Sequence, residues 1–202
     1  MIALIDYGAG NLTSVRKGFS AAGAELFTPA SPSELAGATG IVVPGVGNFA
    51  ATAALEGAWT SSIREAVSRG TPLLGICLGL QWLFNGSDEA PGVNGLGAID
   101  GTCSRLPRDA AGSIKIPHVG WNSLETPRPS RLLEGVDAGR QVYFTHSYGA
   151  PVTAECAATC THGATFAAAV EDGLVFGVQF HPEKSGDAGI RILRNFVQLT
   201  KS

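Results

Sequence analysis

Short apolar runs alternate with helical patterns along the first half of the chain. The runs at residues 2–5, 40–43 and 72–76 each lead through a glycine-rich turn into a stretch whose apolar residues recur at helical intervals. The stretch after the second run predicts one long helix that ends near residues 69–70. Strands that alternate with helices in this way predict a parallel sheet with helices on both faces.

Strand-like runs dominate the second half, and they stand at QVYFTHSY, VTAECAAT, TFAAAVE and GLVFGVQF. The Asp-Gly dipeptide of VEDGLV, between two apolar runs, predicts a β-hairpin. A helical stripe of Ile190, Leu193 and Val197 predicts a last helix. We therefore expect an α/β fold with a mixed, largely parallel open sheet flanked by helices, and antiparallel strands in its C-terminal half.

Composition places the chain among ordinary globular proteins. It has 202 residues, of which 45% are hydrophobic and 15% charged, and its formal net charge is -3. That length favours a single domain over residues 1–202, and the charge gives no basic surface for nucleic acid. The apolar region at residues 72–84 is interrupted and falls short of the ~20 residues that span a bilayer, and the N-terminus lacks the pattern of a signal peptide. We expect a cytoplasmic protein without a membrane partner.

Two features that suggest other chemistry are weak. DYGAGN follows a strand, as a dinucleotide-binding turn does, but Thr13 stands where the third glycine of that motif belongs. Cys156 and Cys160 lie in a run whose Val and Thr residues favour a strand, so we interpret them as structural. The spacing of cysteines and histidines offers no convincing set of metal ligands.

Cys77 lies between two glycines in GICLG, where an apolar strand changes to a helical pattern. This is the form of a nucleophile elbow, in which tight backbone geometry exposes the nucleophile at the carboxyl edge of the sheet. A helix N-terminus behind the sulfur would favour the reactive thiolate. From this segment alone, a buried cysteine that only fills the core remains an equal alternative.

A cysteine nucleophile needs a base, and the chain has four histidines. His118 and His146 stand within strand-like runs, where a structural role is more common, and His162 stands in a turn, where we expect it to be solvated. His181 differs because FGVQFHPEKS places it directly after an apolar strand and two residues before Glu183. A carboxylate at that spacing can bond the imidazole and fix its tautomer, as in a catalytic triad.

Attack on an acyl carbon also requires donors for the oxyanion. The amide of Leu78, next to the nucleophile, is expected to be free for this role. The glycine loop PGVG, residues 44–47, ends another strand and can supply a second donor, although a simple tight turn explains PGVG equally well.

In chain order, PGVG, GICLGLQ, YFTHSY and HPE resemble the motifs of the class I (triad) glutamine amidotransferases. The stretches PGVGNF, EAPGVNGLG, PHVGWN, YFTHSY and HPEKS extend the likeness along essentially the whole chain, toward members that serve a (β/α)-barrel cyclase. The resemblance implies a flavodoxin-like core and glutamine hydrolysis, with Cys77 as nucleophile, His181 as base and Glu183 as the partner of that base.

The resemblance further implies an oxyanion loop at Val46 and Gly47, and a glutamine pocket made by Gln81, Glu89, Ser147 and Tyr148. The acidic Glu89 suits the ammonium group of glutamine, whereas hydroxyls and amides near Ser147 suit its carboxylate. An ordinary solvated loop charge remains an alternative for Glu89.

The implied partner is a (β/α)-barrel cyclase subunit of histidine biosynthesis, joined in a heterodimer that receives ammonia through an internal channel. The face with Asn11, Tyr143 and Lys184 would meet that barrel, and no cofactor is implied. Without the resemblance, Lys184 is an ordinary surface lysine. Two alternatives stay open: the same chemistry in the service of another synthase, and a catalytically idle regulatory module that keeps the fold.

Overall fold

The computed structural model describes residues 1–108, 113–125 and 128–201. The strands are β1 (Ile2–Leu4), β2 (Leu26–Phe27), β3 (Gly40–Val43), β4 (Leu73–Ile76), β5 (Gly86–Ser87), β6 (Thr102–Arg105), β7 (His118–Ser123), β8 (Gln141–His146), β9 (Tyr148–Gly149), β10 (Cys156–His162), β11 (Ala164–Asp172) and β12 (Val175–Val178). The α-helices are α1 (Leu12–Ala21), α2 (Ala58–Ser68), α3 (Leu78–Leu83) and α4 (Gly186–Leu199), and 3₁₀ turns span Pro32–Gly37, Phe49–Leu55 and Pro182–Lys184.

A seven-stranded sheet forms the centre of the fold, in the order β10-β11-β12-β4-β3-β1-β2. β12, β4, β3, β1 and β2 are parallel, and β10 and β11 extend the sheet in antiparallel pairing. The predicted fold class is therefore confirmed, including the antiparallel strands of the C-terminal half. Since parallel strands end at one edge, the turns after β1, β3, β4 and β12 meet there, where open α/β sheets bind ligands.

Apolar side chains pack on both faces of this sheet. Successive residues of a strand point to opposite faces, so Ile2 and Leu4 belong to one cluster and Ala3 and Ile5 to the other. Helices α1 and α4 cover the first face, while α2 and α3 cover the second. The buried strands hold the carboxyl edge of the sheet in a fixed geometry.

The helix predicted to run from PGVGNF to about residue 69 is interrupted, so that prediction was wrong in extent. The chain forms a 3₁₀ turn over Phe49–Leu55 and begins α2 only at Ala58. Gly57 separates the two with a φ of 74°, which no right-handed helix contains. The predicted hairpin at VEDGLV is confirmed by β11 and β12.

Two smaller sheets flank the carboxyl edge. β7 and β8 form a two-stranded antiparallel ribbon, and β5, β6 and β9 form a three-stranded sheet. The ribbon leaves Val119 and Trp121 largely exposed. Within the described ranges, no helix is both long and apolar enough to cross a lipid bilayer.

Candidate active site

Cys77 occupies a strained turn between β4 and α3. Its φ is 54° and its ψ is -105°, and it is the one residue other than glycine with a positive φ in the described part of the chain. Such a conformation costs on the order of 1–3 kcal/mol and persists where the surroundings impose it. Those surroundings are tight, because a Cβ on Gly79 would lie 1.9 Å from the carbonyl oxygen of Val43. Gly79, the second residue after Cys77, thus permits the tight turn that the sequence predicted.

His181 and Glu183 follow β12 at the neighbouring strand end. The Nδ1 of His181 lies 2.8 Å from Oε1 of Glu183, and the Glu183 side chain is only 2% exposed. Tyr143 and Ser185 hold the His181 backbone, since the His181 amide donates to the Tyr143 carbonyl and the Ser185 hydroxyl donates to the His181 carbonyl. The imidazole is therefore fixed from both its ring and its main chain.

The protonation of His181 is set by opposing effects. Burial lowers its pKa, but the Cys77 sulfur and the Glu183 carboxylate together raise the pKa to about 9. Because Glu183 accepts a hydrogen bond at Nδ1, that nitrogen carries a proton. Nε2 is buried and has no oxygen or nitrogen partner among the described residues, and the Cys77 sulfur acts on the ring from this side, so Nε2 is the ring nitrogen available for proton transfer.

A cavity of about 210 Å³ opens beside Cys77. The cavity wall contains all four residues implied for glutamine, Cys77 with its neighbour Leu78, one residue of the oxyanion loop, and three residues on or beside β7 and β8. These residues are Gly47, Cys77, Leu78, Gln81, Glu89, Pro117, Thr145, His146, Ser147 and Tyr148. The Glu89 carboxylate is anchored, because its Oε2 accepts the Phe49 amide at 2.8 Å. A larger surface concavity, of about 540 Å³, lies beside Trp121 and Ser185, away from Cys77.

The oxyanion loop requires a correction. The Leu78 amide was expected to be free, but it donates to the Gly45 carbonyl at 3.3 Å. Val46 is 38% exposed, and Gly47 has a φ of 105°. The Tyr7 hydroxyl donates to the Pro44 carbonyl at 2.7 Å and so fixes the start of the loop. In this conformation the loop places a carbonyl oxygen, not an amide, against Leu78.

The residues implied to face a partner are only partly brought together. The Nζ of Lys184 lies 5.8 Å from the centre of the Tyr143 ring, and Tyr143 packs edge-on against Trp121. Asn11 is exposed at the start of α1, where its side-chain oxygen accepts the Ser14 amide. Asn11 thus also serves as the N-cap of α1.

His118, His146 and His162 form a cluster beside the cavity, and His146 is part of the cavity lining. Nδ1 of His118 lies 3.1 Å from Nε2 of His146, whose Nδ1 donates to the Tyr148 carbonyl at 2.8 Å. Burial lowers the pKa of His118 to about 4 and that of His146 to about 3. His162 was expected to be solvated in a turn. That expectation holds only in part: the side chain is partly exposed, but His162 ends β10, its ring stacks on His118 with centres 4.0 Å apart, and its Nε2 donates to the Lys115 carbonyl at 2.9 Å.

Gln179 is a buried neighbour of Cys77 that none of the sequence motifs predicted. It is fully buried just after β12, and its Nε2 lies 3.6 Å from the Cys77 sulfur. A polar residue inside the apolar run GLVFGVQF, next to the predicted base, was the available signal. No group of three or more His, Cys, Asp or Glu side chains within the described ranges is arranged to hold a metal ion.

Comparisons with known proteins agree on one family. Residues 3–199 match the family model for Glutamine amidotransferase class-I. Imidazole glycerol phosphate synthase subunit HisH from Moorella thermoacetica is 44% identical over 204 residues, which cover 99% of this chain and 95% of the relative. The protein of the same name from Methanothermobacter thermautotrophicus is 44% identical over 204 residues, with 100% of both chains covered. A solved structure described as a glutamine amidotransferase superposes with a TM-score of 0.76 at 21% identity and covers 100% of both chains, a likeness of fold.

Proposed function

This chain belongs to the class I glutamine amidotransferases, and from that premise we propose that it hydrolyses L-glutamine to glutamate and ammonia, with Cys77, His181 and Glu183 as its catalytic residues. The observation that carries the proposal is Cys77 on a strained turn, at a cavity, beside a buried His181–Glu183 hydrogen bond. A cysteine that only fills a core needs neither the strain nor the paired imidazole.

In the proposed reaction the Cys77 thiolate attacks the carboxamide carbon of glutamine. The raised pKa of His181, about 9, keeps the imidazole protonated at neutral pH, which suits it to give the Nε2 proton to the departing ammonia. The product of this step is a glutamyl thioester. His181, now neutral, takes a proton from water as the water attacks the thioester, and glutamate leaves as the thiolate is restored.

We assign glutamine recognition to the cavity walls. Glu89 would bind the substrate ammonium group, and Ser147 and Tyr148 would bind its carboxylate, with Gln81 alongside. Val46, Gly47 and Leu78 would stabilise the oxyanion after the loop rearranges, since the Leu78 amide is bonded to Gly45 in the present conformation. An oxyanion donor typically contributes about 10²- to 10³-fold in rate, so this rearrangement would control turnover.

The proposed partner follows from the relatives. Proteins that share 44% identity with this chain are named as subunits of imidazole glycerol phosphate synthase. We infer that this chain is the glutaminase subunit of such a synthase and works in the cytoplasm. It would deliver ammonia to a (β/α)-barrel cyclase that makes imidazole glycerol phosphate and aminoimidazole carboxamide ribonucleotide. Tyr143 and Lys184, at the carboxyl edge with Asn11, would contribute to the interface, and the scheme uses no cofactor.

The proposal is tested with the chain in complex with its cyclase subunit. A diazo-ketone analogue of glutamine should form one covalent adduct, located on Cys77 by mass spectrometry of peptides. Cys77→Ala should abolish glutamine-dependent synthesis and leave synthesis from ammonium salts intact. An adduct on another residue, or glutamine-dependent synthesis by Cys77→Ala, contradicts the assignment. Co-purification with a barrel protein that lacks the cyclase reaction contradicts the inferred synthase.

A further inference from the structure

A buried pair of carboxamides connects the cavity wall to the Cys77 sulfur. Gln81 is nearly fully buried in α3, and Gln179 is fully buried after β12. Nε2 of Gln81 donates both to the Tyr148 carbonyl at 2.8 Å and to Oε1 of Gln179 at 3.1 Å. Nε2 of Gln179 then lies 3.6 Å from Sγ of Cys77. Buried polar groups are retained where they have partners, and here the partner at one end is the reacting atom.

The direction of these hydrogen bonds is fixed by the chemistry of their ends. The Tyr148 carbonyl can only accept, so the amide nitrogen of Gln81 must face it. That nitrogen also faces Gln179, which therefore presents its oxygen to Gln81 and its NH₂ group to the sulfur. The reverse orientation would set two NH₂ groups against each other. Gln179 is thus a donor toward Cys77.

The two protonation states of Cys77 use different partners. The thiol has a hydrogen to donate, and the Thr145 carbonyl lies 3.9 Å from the sulfur. The thiolate has none, and a carbonyl oxygen near it is then unfavourable. An N–H donor stabilises the thiolate more than the thiol, because hydrogen bonds to a charged acceptor are roughly twice as strong as those to a neutral one. Gln179 therefore distinguishes the ionised sulfur from the neutral one.

We propose that Gln179 stabilises the Cys77 thiolate by donating an N–H hydrogen bond to the sulfur, and that Gln81 holds Gln179 in the orientation that makes this possible. The inference rests on the proposed role of Cys77 as nucleophile and adds a neutral donor to it. Unlike His181, the carboxamide does not ionise, so it remains a donor each time the thiolate forms. Gln81 has a structural task here besides lining the cavity.

The test measures alkylation of Cys77 by iodoacetamide in the full chain, from pH 5.5 to 10, by mass spectrometry of the Cys77 peptide. The other titratable groups that act on this sulfur are His181 and Tyr7, and they are unchanged in the variants. Gln179→Met keeps the volume and removes the donor. A hydrogen bond to a charged group changes an equilibrium constant by about tenfold or more, so loss of this donor should lower the fraction of Cys77 present as thiolate. We therefore expect alkylation at pH 7 to be about tenfold slower. The plateau rate at high pH, where every thiol is ionised, should not fall, because a thiolate without the donor is at least as nucleophilic.

Several outcomes overturn the inference. The first is an alkylation rate at pH 7 that is the same in Gln179→Met and in the unaltered chain. The second is an alkylation rate that falls by the same factor at pH 7 and at the plateau, because this indicates altered access to the sulfur. If thermal unfolding shows that Gln179→Met is not folded, Gln81→Met decides by the same criteria. Thr159→Val, a buried change in β10, is the matched control and should leave the profile unchanged.

Failure here is distinguishable from failure of the proposed function. An unchanged alkylation profile, combined with normal diazo-ketone labelling of Cys77, rejects the role of Gln179 alone. A chain whose Cys77 alkylates normally but takes no diazo-ketone label in complex with its partner rejects the glutaminase function instead.

Discussion

The two sides of the Cys77 cavity differ in how completely their hydrogen bonds fit the proposed reaction. On the β12 side, the Glu183 carboxylate already holds the His181 ring at 2.8 Å, and the His181 main chain is bonded to Tyr143 and Ser185. On the β3 side, the Gly45 carbonyl faces the Leu78 amide, and Val46 is partly exposed to solvent. The first side is in a reactive arrangement, whereas the second still lacks a free oxyanion donor at Leu78.

This difference indicates where control can be exerted. Proton transfer needs a fixed imidazole, and the buried strand ends supply it in the chain by itself. Oxyanion stabilisation needs amides, and a loop between a strand end and a 3₁₀ turn can change its peptide orientation at small cost to the core. We therefore expect a partner to accelerate turnover through the PGVG loop and to leave the His181–Glu183 pair unchanged.

The largest expected effect comes from breaking the organised side. Glu183→Gln removes the negative charge that helps to raise the pKa of His181 and leaves a neutral carboxamide oxygen as a weaker acceptor for the ring N–H. We expect glutamine-dependent synthesis by the complex to fall about 10²- to 10⁴-fold, the range typical of acid–base catalysis. Synthesis from ammonium salts should not change.

Glu65→Gln is the matched control for that substitution. Glu65 is an exposed carboxylate of α2 that pairs with Arg69, so its neutralisation should leave both activities near their original rates. A Glu183→Gln variant with nearly full glutamine-dependent activity would show that the buried pair is structural.

The fold and the grouping of Cys77, His181 and Glu183 were predictable from the sequence because both depend on local patterns. Alternation of apolar runs with helical spacing gave the parallel half of the sheet, and GICLG and HPE lie at strand ends that the topology brings together. Gly79 illustrates the link, since the close approach of the Val43 carbonyl requires a residue without a side chain.

Contacts between distant segments were not accessible in the same way. His162 was interpreted from its own turn-like surroundings, but its environment is set by His118 on another strand. The Leu78–Gly45 hydrogen bond depends on one peptide orientation, which a flexible glycine loop does not encode. The orientation of Gln179 depends on its hydrogen bond with Gln81, which lies 98 residues earlier in the chain.

A second prediction uses the pH dependence of stability to test how firmly His146 and His181 are buried. His146 has a pKa lowered to about 3, mainly by burial, so the unfolded chain takes up a proton below about pH 6.5 that the folded chain refuses. Stability contributed by the neutral ring is present above pH 6.5 and is lost as the pH falls toward the folded value. His181 has the opposite sign, because its raised pKa contributes stability below about pH 6.5 that is lost as the pH rises toward 9.

The free energy of unfolding in urea, measured between pH 5 and 9, checks both signs. We expect a maximum near pH 6.5, and on its acid side His146 adds about 1.4 kcal/mol per pH unit. His146→Gln does not titrate and should lose that share of the acid slope. An identical slope in the variant and the original chain would mean that water reaches the ring in the folded state.

The smallest effect, and the one that separates the two sides most directly, is expected from Tyr7→Phe. Burial, and then the charge on Cys77, raise the pKa of Tyr7 well above its ordinary value, so its hydroxyl stays protonated and donates to the Pro44 carbonyl. Removing one neutral hydrogen bond of this kind changes a free energy by about 0.5–1.5 kcal/mol. If that bond holds the loop with the Gly45 carbonyl against Leu78, its loss should make the rearranged loop about 2- to 10-fold more populated.

Glutamine turnover by the chain without its partner should therefore rise by the same factor in Tyr7→Phe, while turnover in the complex changes little. Thr60→Val removes a comparable hydroxyl-to-carbonyl bond outside the loop, to Leu55, and should raise neither rate. A fall in the partner-free rate of Tyr7→Phe would mean that the Tyr7–Pro44 bond supports the reactive loop. In that case the β3 side is organised by this chain, and control by the partner must act on the His181 side.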